Sequence, residues 1–340
     1  MSENIQIRLD NAQKTQIAGE SLAKSIYNTP LTILLNGELG AGKTTFLQGF
    51  SKGLNISGHL TSPTYALEQI YETPDHGEFL HIDLYRLSPA HGKELIESTD
   101  DHKGIRCIEW ADRLEKVPSA EHTITIHLKE IDDGKARELE IEFNDIKIPS
   151  DKEISEWRNE VMLNKLAIDH CDKVSEVTDK LTNYLLERGI IVRAFAAKQA
   201  AALHDLFRFV DFSEEQMSNL KIDLTDEQRK CWEQWKKKFA GKTHEGVAYS
   251  FLCEKGFPKI AQIVESHGLK DSYHNPVTIE EKIVHYADKR VSYDKVVTLD
   301  ERFDDLRKRY QDGKKIAEWE TKYEKVRKLE QELFPEGSPF

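Results

Sequence analysis

The stretch Gly37-Glu38-Leu39-Gly40-Ala41-Gly42-Lys43-Thr44-Thr45 constrains the first half of this chain more than any other. It fits the spacing G-x-x-x-x-G-K-[ST], with Gly37, Gly42, Lys43 and Thr44 at the fixed positions. Residues 31–35 read as a buried strand before it and residues 45–52 as the start of a helix after it. A Gly-rich turn between strand and helix stacks backbone N–H groups into an anion cradle, to which the helix N-terminus adds positive potential. Lys43 is then placed to reach β- and γ-phosphates, and the Thr44 hydroxyl to ligate Mg²⁺. The pattern specifies a nucleoside triphosphate; it leaves open what the hydrolysis is for.

The 340 residues suggest two domains. A hydrophobic content of 39% supports packed cores, and a net charge of −12 argues against gripping nucleic acid by bulk electrostatics. Residues 1–150 hold 15 Lys and Arg against 24 Asp and Glu, which leaves −9 there; the remainder is nearly balanced, at 33 against 36. An acidic nucleotide-binding half suits a basic protein partner better than RNA directly, although acidity also serves solubility. The four cysteines, Cys107, Cys171, Cys231 and Cys253, form no C-x-x-C pair, so neither a disulfide framework nor a thiolate zinc site is indicated. No apolar run approaches the roughly 18 residues of a membrane span, and the first residues lack a signal-peptide pattern. A cytoplasmic protein is expected.

Along the first half, residues 5–9 alternate as an edge strand and residues 12–27 read as an amphipathic helix. Residues 66–72, 79–85 and 105–108 read as strands. Residues 123–129 and 138–143 read as a closing hairpin linked by the turn signal Asp132-Asp133-Gly134. Two carboxylates end apolar strands. Asp83 can hold Mg²⁺ or its waters, or merely cap a turn; Glu109 can orient a water, or be an ordinary surface carboxylate beside a core Trp110. Thr61, Ser62 and Thr64 lie where a nucleotide-sensing loop would lie, but on sequence physics alone they read more readily as a plain Ser/Thr turn.

Taken together, the P-loop, then Ser62-Pro63-Thr64-Tyr65, then His81-Ile82-Asp83-Leu84-Tyr85-Arg86, then Ile108-Glu109-Trp110 with Arg113, resemble the TsaE (YjeE) family of tRNA threonylcarbamoyladenosine biosynthesis ATPases. The resemblance covers about residues 4–145. It implies a small α/β P-loop domain with a mixed sheet that binds ATP and Mg²⁺ and hydrolyses ATP slowly. It also implies a partner complex of TsaD and TsaB, which places threonylcarbamoyl on adenosine 37 of tRNA, so that contact with tRNA is indirect. Carried over by motif, Glu38, Gly40, Ala41, Gly42, Lys43, Thr44 and Thr45 surround the nucleotide, with Thr64 and Trp110 beside it. Asp83, Glu109 and Lys43 are the catalytic candidates, and Thr44 with Asp83 or Glu109 would hold Mg²⁺.

The sheet pattern ends near Pro149, and everything after it reads helical, at residues 153–169, 173–187, 193–207, 226–238, 244–255, 258–266 and 278–293. The expected division is residues 1–148 as the P-loop domain, 149–310 as an all-α bundle, and 311–340 as a charged, solvated helical tail. His204-Asp205 reads as lying inside an apolar helix, where an unpaired charge is costly and a bound cation would compensate. With His170 and Asp288 it makes four N/O ligands for a divalent transition metal such as Mn, Fe, Co, Ni or Zn. His244 and His267 could hold a second metal bridged by Asp205. Singly, each His is more often a hydrogen-bonded core residue.

The spacing H…HD…D is similar to the HD superfamily of metal-dependent phosphohydrolases, over about residues 160–310. Leu206-Phe207 follows the pair instead of the Ile-Gly of the HDIG branch. The resemblance implies a phosphoester substrate, with His170, His204, Asp205 and Asp288 at the first metal. The leading reading is therefore an Mg-dependent ATPase fused to a phosphohydrolase. The alternatives are an ATPase with an inert helical adaptor, or a nucleotide or polynucleotide kinase–phosphatase.

Overall fold

The computed structural model describes residues 2–58, 60, 66–114, 120–213, 217, 223–268, 276–309 and 316–340. It divides into two compact units. The first comprises Met1–Lys147 together with Leu185–Arg193, and the second Ile148–Tyr184 and Ala194–Phe340.

The first unit is a seven-stranded mixed sheet with helices. In chain order its elements are β1 (Glu3–Leu9), α1 (Ala12–Ala23), β2 (Leu31–Asn36), α2 (Lys43–Gly53), β3 (Glu68–Thr73), β4 (Gly77–Asp83), α3 (Pro89–Glu97), β5 (Ile105–Glu109), β6 (Thr123–Ile131) and β7 (Ala136–Asn144). The strand order is β1-β7-β6-β2-β5-β4-β3, which puts β1 at an edge as its alternation suggested. β2 runs parallel to β5 and β6, and β4 parallel to β5; the β6–β7 hairpin, β1–β7 and β3–β4 are antiparallel. All six residues of β2 are buried, the signature of a central parallel strand. Asp132, Asp133 and Gly134 all adopt positive φ in the hairpin turn. α1 and α2 pack backbone to backbone: a Cβ at Gly49 would sit 1.9 Å from the Gln16 carbonyl oxygen, and one at Gly19 2.0 Å from that of Phe46. That contact anchors α2, whose N-terminus is the P-loop. α3, with Ser88 as N-cap and Pro89 in its first turn, was not legible from the pattern of apolar residues, because it buries only Gly92 and Ile96.

The second unit holds α4 (Asp151–Glu160), α5 (Lys165–Glu187, whose last three residues fall in the first unit), α6 (Ala194–Leu203), α7 (Asp226–Lys238), α8 (His244–Glu254), α9 (Pro258–Glu265), α10 (Ile279–Lys289), the hairpin β8 (Val291–Ser292) and β9 (Lys295–Val296), α11 (Leu299–Arg309) and α12 (Ile316–Leu333). Three expectations change. Residues 153–169 are not one helix: Met162 takes φ 50° and breaks the run, and α5 then continues unbroken past residue 173. The helix expected over 193–207 stops at Leu203, so His204-Asp205 sits in the turn after it. The charged tail is not simply solvated: Val326, Leu333 and Phe334 are buried, and Glu330 accepts a hydrogen bond from Tyr286 of α10. Phe207 explains the departure from Ile-Gly. It is buried among Trp235, Phe239 and Phe251, with ring centroids 5.2 Å from those of Trp235 and Phe251.

Candidate functional sites

In the first unit, Gly42 occupies the N-cap of α2 at φ 105° and offers no side chain to its first amides, which stay open to a ligand. Gly37 is obligatory on steric grounds: a Cβ there would lie 2.3 Å from the Leu128 carbonyl oxygen. The Lys43 ammonium donates to the carbonyl oxygens of Gly37 (2.7 Å) and Glu38 (3.1 Å), and lies 3.7 Å from the centre of the Trp110 ring. Burial lowers its pKa, against the opposing pull of Glu109, Asp83 and Asp112. Thr44 and Thr45 are half-buried in the first turn of α2, while Glu38 and Gly40 are exposed and Ala41 is buried.

Asp83 and Glu109 are paired neighbours at the ends of parallel β4 and β5. Both are buried. Asp83 Oδ1 accepts from the Tyr85 backbone N–H (2.8 Å), and Glu109 Oε1 lies 2.8 Å from His81 Nε2. Trp110, in the left-handed region at φ 60°, packs its ring at a tilt against Tyr85, centroids 5.0 Å apart, and donates its backbone N–H to Leu35 O. The structure thus gathers Lys43, Asp83, Glu109 and Trp110 around the P-loop. Thr61, Ser62 and Thr64 lie outside the described residues. Two supports had no reading in the sequence. His81 was visible only as part of a motif, and Arg137, which donates to the Ala41 carbonyl (3.0 Å) and the Gly40 carbonyl (3.3 Å), carries no motif at all.

In the second unit, His170 stands in the second turn of α5, His244 opens α8, His267 lies two residues beyond α9, and Asp288 is the penultimate residue of α10. His204 and His267 are built alike. Each follows a helix end and directs Nδ1 to its own carbonyl three residues back, Ala201 O (2.7 Å) and Val264 O (2.5 Å). This engages an acceptor that a continuing helix would use. His170 Nδ1 meets Tyr293 O (2.8 Å), and His244 Nδ1 meets Asp211 Oδ2 (2.6 Å). With Nδ1 occupied, all four rings present Nε2 to the centre, the arrangement that orients imidazole ligands.

Asp205 joins two halves. Its Oδ2 lies 3.9 Å from His170 Nε2 and 3.8 Å from His204 Nε2; its Oδ1 lies 3.2 Å from His244 Nε2 and 3.7 Å from His267 Nε2. Asp288 Oδ1 lies 3.2 Å from His170 Nε2 and 3.7 Å from His204 Nε2. Burial works against the Asp205 carboxylate, yet His204, His244 and His267 outweigh it and hold the group well below the usual range. Asp288 is held low in the same way by Lys289, His170 and His204. Burial pushes the His267 imidazole down. On His204 burial acts likewise but is outweighed by Cys171, Asp205 and Asp288, and on His244 burial and Arg208 are outweighed by Asp205 and Asp211; both rings are raised.

Two ionised carboxylates facing four imidazoles form a donor set for divalent cations. His170, His204 and Asp205 form one cluster able to hold an ion, and Asp205, His244 and His267 another. His204 Nε2 is fully buried and has no hydrogen-bond partner among the described residues, which a coordinated cation would remedy. All six expected ligands therefore come together. Asp211 and Glu245, which cluster with His244, were not anticipated, because carboxylates are common on this acidic chain.

The model of the family described as threonylcarbamoyl adenosine biosynthesis protein TsaE matches residues 9–139. A tRNA threonylcarbamoyladenosine biosynthesis protein TsaE of Synechocystis is 36% identical over 127 residues, 35% of this chain and 78% of that protein. The Aquifex aeolicus protein of the same name is 36% identical over 110 residues, 32% of this chain and 77% of its own length. The chain belongs to the TsaE family. A second model, described as HD domain, matches residues 167–292. The TsaE match spans Lys43, Asp83, Glu109 and Trp110, and the HD match spans all six metal-ligand candidates. A crystal structure of Bacillus subtilis YdiB aligns with 24% identity and a TM-score of 0.33, over 42% of this chain and 87% of that one. The chain is thus a TsaE-family, ATPase-type protein fused to an HD domain. None of its described helices is long and apolar enough to cross a membrane.

Proposed function

We propose that the first unit binds and hydrolyses ATP with Mg²⁺ in the synthesis of N6-threonylcarbamoyladenosine at adenosine 37 of tRNA, together with TsaB- and TsaD-like partners. The observation that carries this is the placing of Lys43 between the uncapped N-terminus of α2 and the paired carboxylates Asp83 and Glu109. The α2 amides and Lys43 would hold phosphate oxygens. Thr44 and Asp83 would hold Mg²⁺, which offsets phosphate charge. Glu109, fixed through one oxygen by His81, keeps its other oxygen to orient a water. The test is whether the purified chain restores modified tRNA with TsaB, TsaD and the carbamoyl-adenylate-forming enzyme. No restoration with a folded, ATP-binding protein would overturn it.

We further propose that the second unit hydrolyses a phosphoester. The carrying observation is the convergence of four Nε2 atoms on the two oxygens of Asp205. Divalent cations held by His170, His204, Asp205 and Asp288, and by Asp205, His244 and His267, would polarise a phosphoryl oxygen and supply hydroxide. A panel of phosphoesters assayed with Mn²⁺, Mg²⁺, Fe²⁺ and Co²⁺ in turn tests it. The full chain carrying Lys43→Ala is the right protein, because Leu185–Arg193 belongs to the first unit and a fragment cut near residue 149 divides that unit. Hydrolysis that survives Asp205→Ala would remove the reading.

A further inference from the structure

Resting on the phosphohydrolase reading, we propose that Arg302 of α11 is the phosphate-binding residue of the HD site. Its guanidinium would grip a non-bridging oxygen pair of the substrate's phosphoryl group. Arg302 Nη2 lies 3.9 Å from Asp288 Oδ1, the same oxygen that faces His170 and His204, and Nη1 lies 3.6 Å from Asp305 Oδ2. Both separations are ion pairs too long for hydrogen bonds. Among the described residues the side chain makes no hydrogen bond, and its Nε is buried without a partner. A guanidinium carries five N–H donors in a planar fork. An unmade hydrogen bond at a buried nitrogen is costly; the Nε atoms of Arg158 and Arg307 are also buried without a hydrogen bond, but both of those side chains bond through their terminal nitrogens, to Ala202 O and to Asp304. Arg193 and Arg106 each make several hydrogen bonds.

The position of the fork selects its partner. Neither neighbouring carboxylate closes on it in bidentate geometry, and Asp288 Oδ2 is engaged by Lys289. Once Asp288 ligates a divalent cation its charge is shared, and the guanidinium needs a further anion. Exposure points the same way. The side chains of His204, His244 and His267 are 0%, 4% and 4% exposed, whereas His170, Asp205 and Arg302 are 12%, 15% and 11% exposed. Arg302 and its neighbour Asp288, at 9%, are thus nearer to the partly exposed His170 and Asp205 than to the fully buried imidazoles in their degree of exposure. An entering ligand at Arg302 finds a rigid fork, and a tetrahedral phosphoryl group offers the matching pair of oxygens.

The test is calorimetric binding of inorganic phosphate to the full-length, Mn²⁺-loaded protein, with bound manganese measured in the same samples. Arg302→Met is expected to keep its manganese and to weaken phosphate binding at least tenfold. Arg302→Lys, which keeps the charge but loses the fork, should fall between. Arg307→Met, on the same helix and paired with Asp304 and Glu320, should bind as the parent does. Unchanged phosphate affinity in a manganese-loaded Arg302→Met protein overturns the assignment and leaves the arginine as a charge balance for Asp288. Phosphate binding lost only in proportion to lost manganese overturns it as well. Should Arg302→Met not fold, Arg302→Lys decides alone, and parental affinity there overturns the proposal. A parent chain that loads no metal sinks the phosphohydrolase reading itself, which separates the two failures.

Discussion

On the functions proposed above, the two units would solve the same problem, holding phosphate oxygens, by opposite means. The first uses backbone: nine consecutive residues, three of them glycines at positive φ, form a cradle in which only Lys43 is a charged side chain aimed inward. The second uses side chains: candidate ligands from residue 170 to residue 288 converge from three helices and two helix-end turns. A backbone cradle is written in one short stretch because its geometry is local. A side-chain cluster depends on every helix that carries a ligand, so its supports, such as Asp211 and the carbonyls of Ala201 and Val264, become part of the site.

This contrast yields tests of decreasing size. Lys43→Ala should reduce ATP hydrolysis by two orders of magnitude or more, as expected where a charge facing the transition state is lost, and leave metal content unchanged. Asp205→Ala should strip bound transition metal and leave ATP binding intact. If either variant, still folded, abolishes both functions, the units are not separate sites. A second test concerns the frame of the backbone cradle. Arg193 and Asp145 form a fully buried ion pair within the first unit, 2.6 Å at its closest, with Arg193 also donating to Ser25 O and facing the Phe143 ring. Asp145→Ala should destabilise that unit by about 3–5 kcal/mol, because it leaves a buried charge unpaired. Loss below 1 kcal/mol on chemical denaturation would show that water relieves the charge.

Smaller effects should come from supports of the side-chain cluster. Asp211→Ala removes the shortest contact of His244 Nδ1, leaving Glu245 and Arg208 each at 3.2 Å, and should weaken metal affinity about tenfold while ATP binding stays as it was; the readout is metal titration. His285 makes a last comparison. Burial, with Lys289 adding to it, pushes its imidazole down to about 3, and its Nδ1 donates to Ser266 O. The folded state therefore binds fewer protons than the unfolded chain below the ordinary histidine pKa. Stability should fall as pH drops from about 6.5 toward 3, by at most about 1.4 kcal/mol per pH unit. His285→Gln should flatten that slope in the second unit. An unaltered slope would assign acid sensitivity to the ligand carboxylates instead.

Much of both sites was legible in the sequence, unevenly. The P-loop, the strand-end positions of Asp83 and Glu109, and the β6–β7 hairpin were readable because period-two burial and turn residues are local signals. His204-Asp205 does lie in the cluster, but the local reason for singling it out was wrong. The residues look like a helix interior, but the ring of His204 takes the Ala201 carbonyl and the helix ends one residue earlier. Arg137, Asp211 and Arg302 were silent, and His81 was visible only within a motif, since one Arg, Asp or His among many carries no periodicity.

By itself the sequence determined the two families and the residue types that stand at their motifs. Spacing in a Gly-rich turn fixes a backbone conformation, and the positions of His and Asp are covalent facts. Only the tertiary structure decided which oxygen of Asp205 faces which imidazole, and that Arg302 stands beside Asp288. It also decided that Leu185–Arg193 completes the first unit, with Ile191 in its core. Those outcomes depend on how distant helices pack and where each buried polar atom finds a partner, and no local pattern in the chain encodes such pairings.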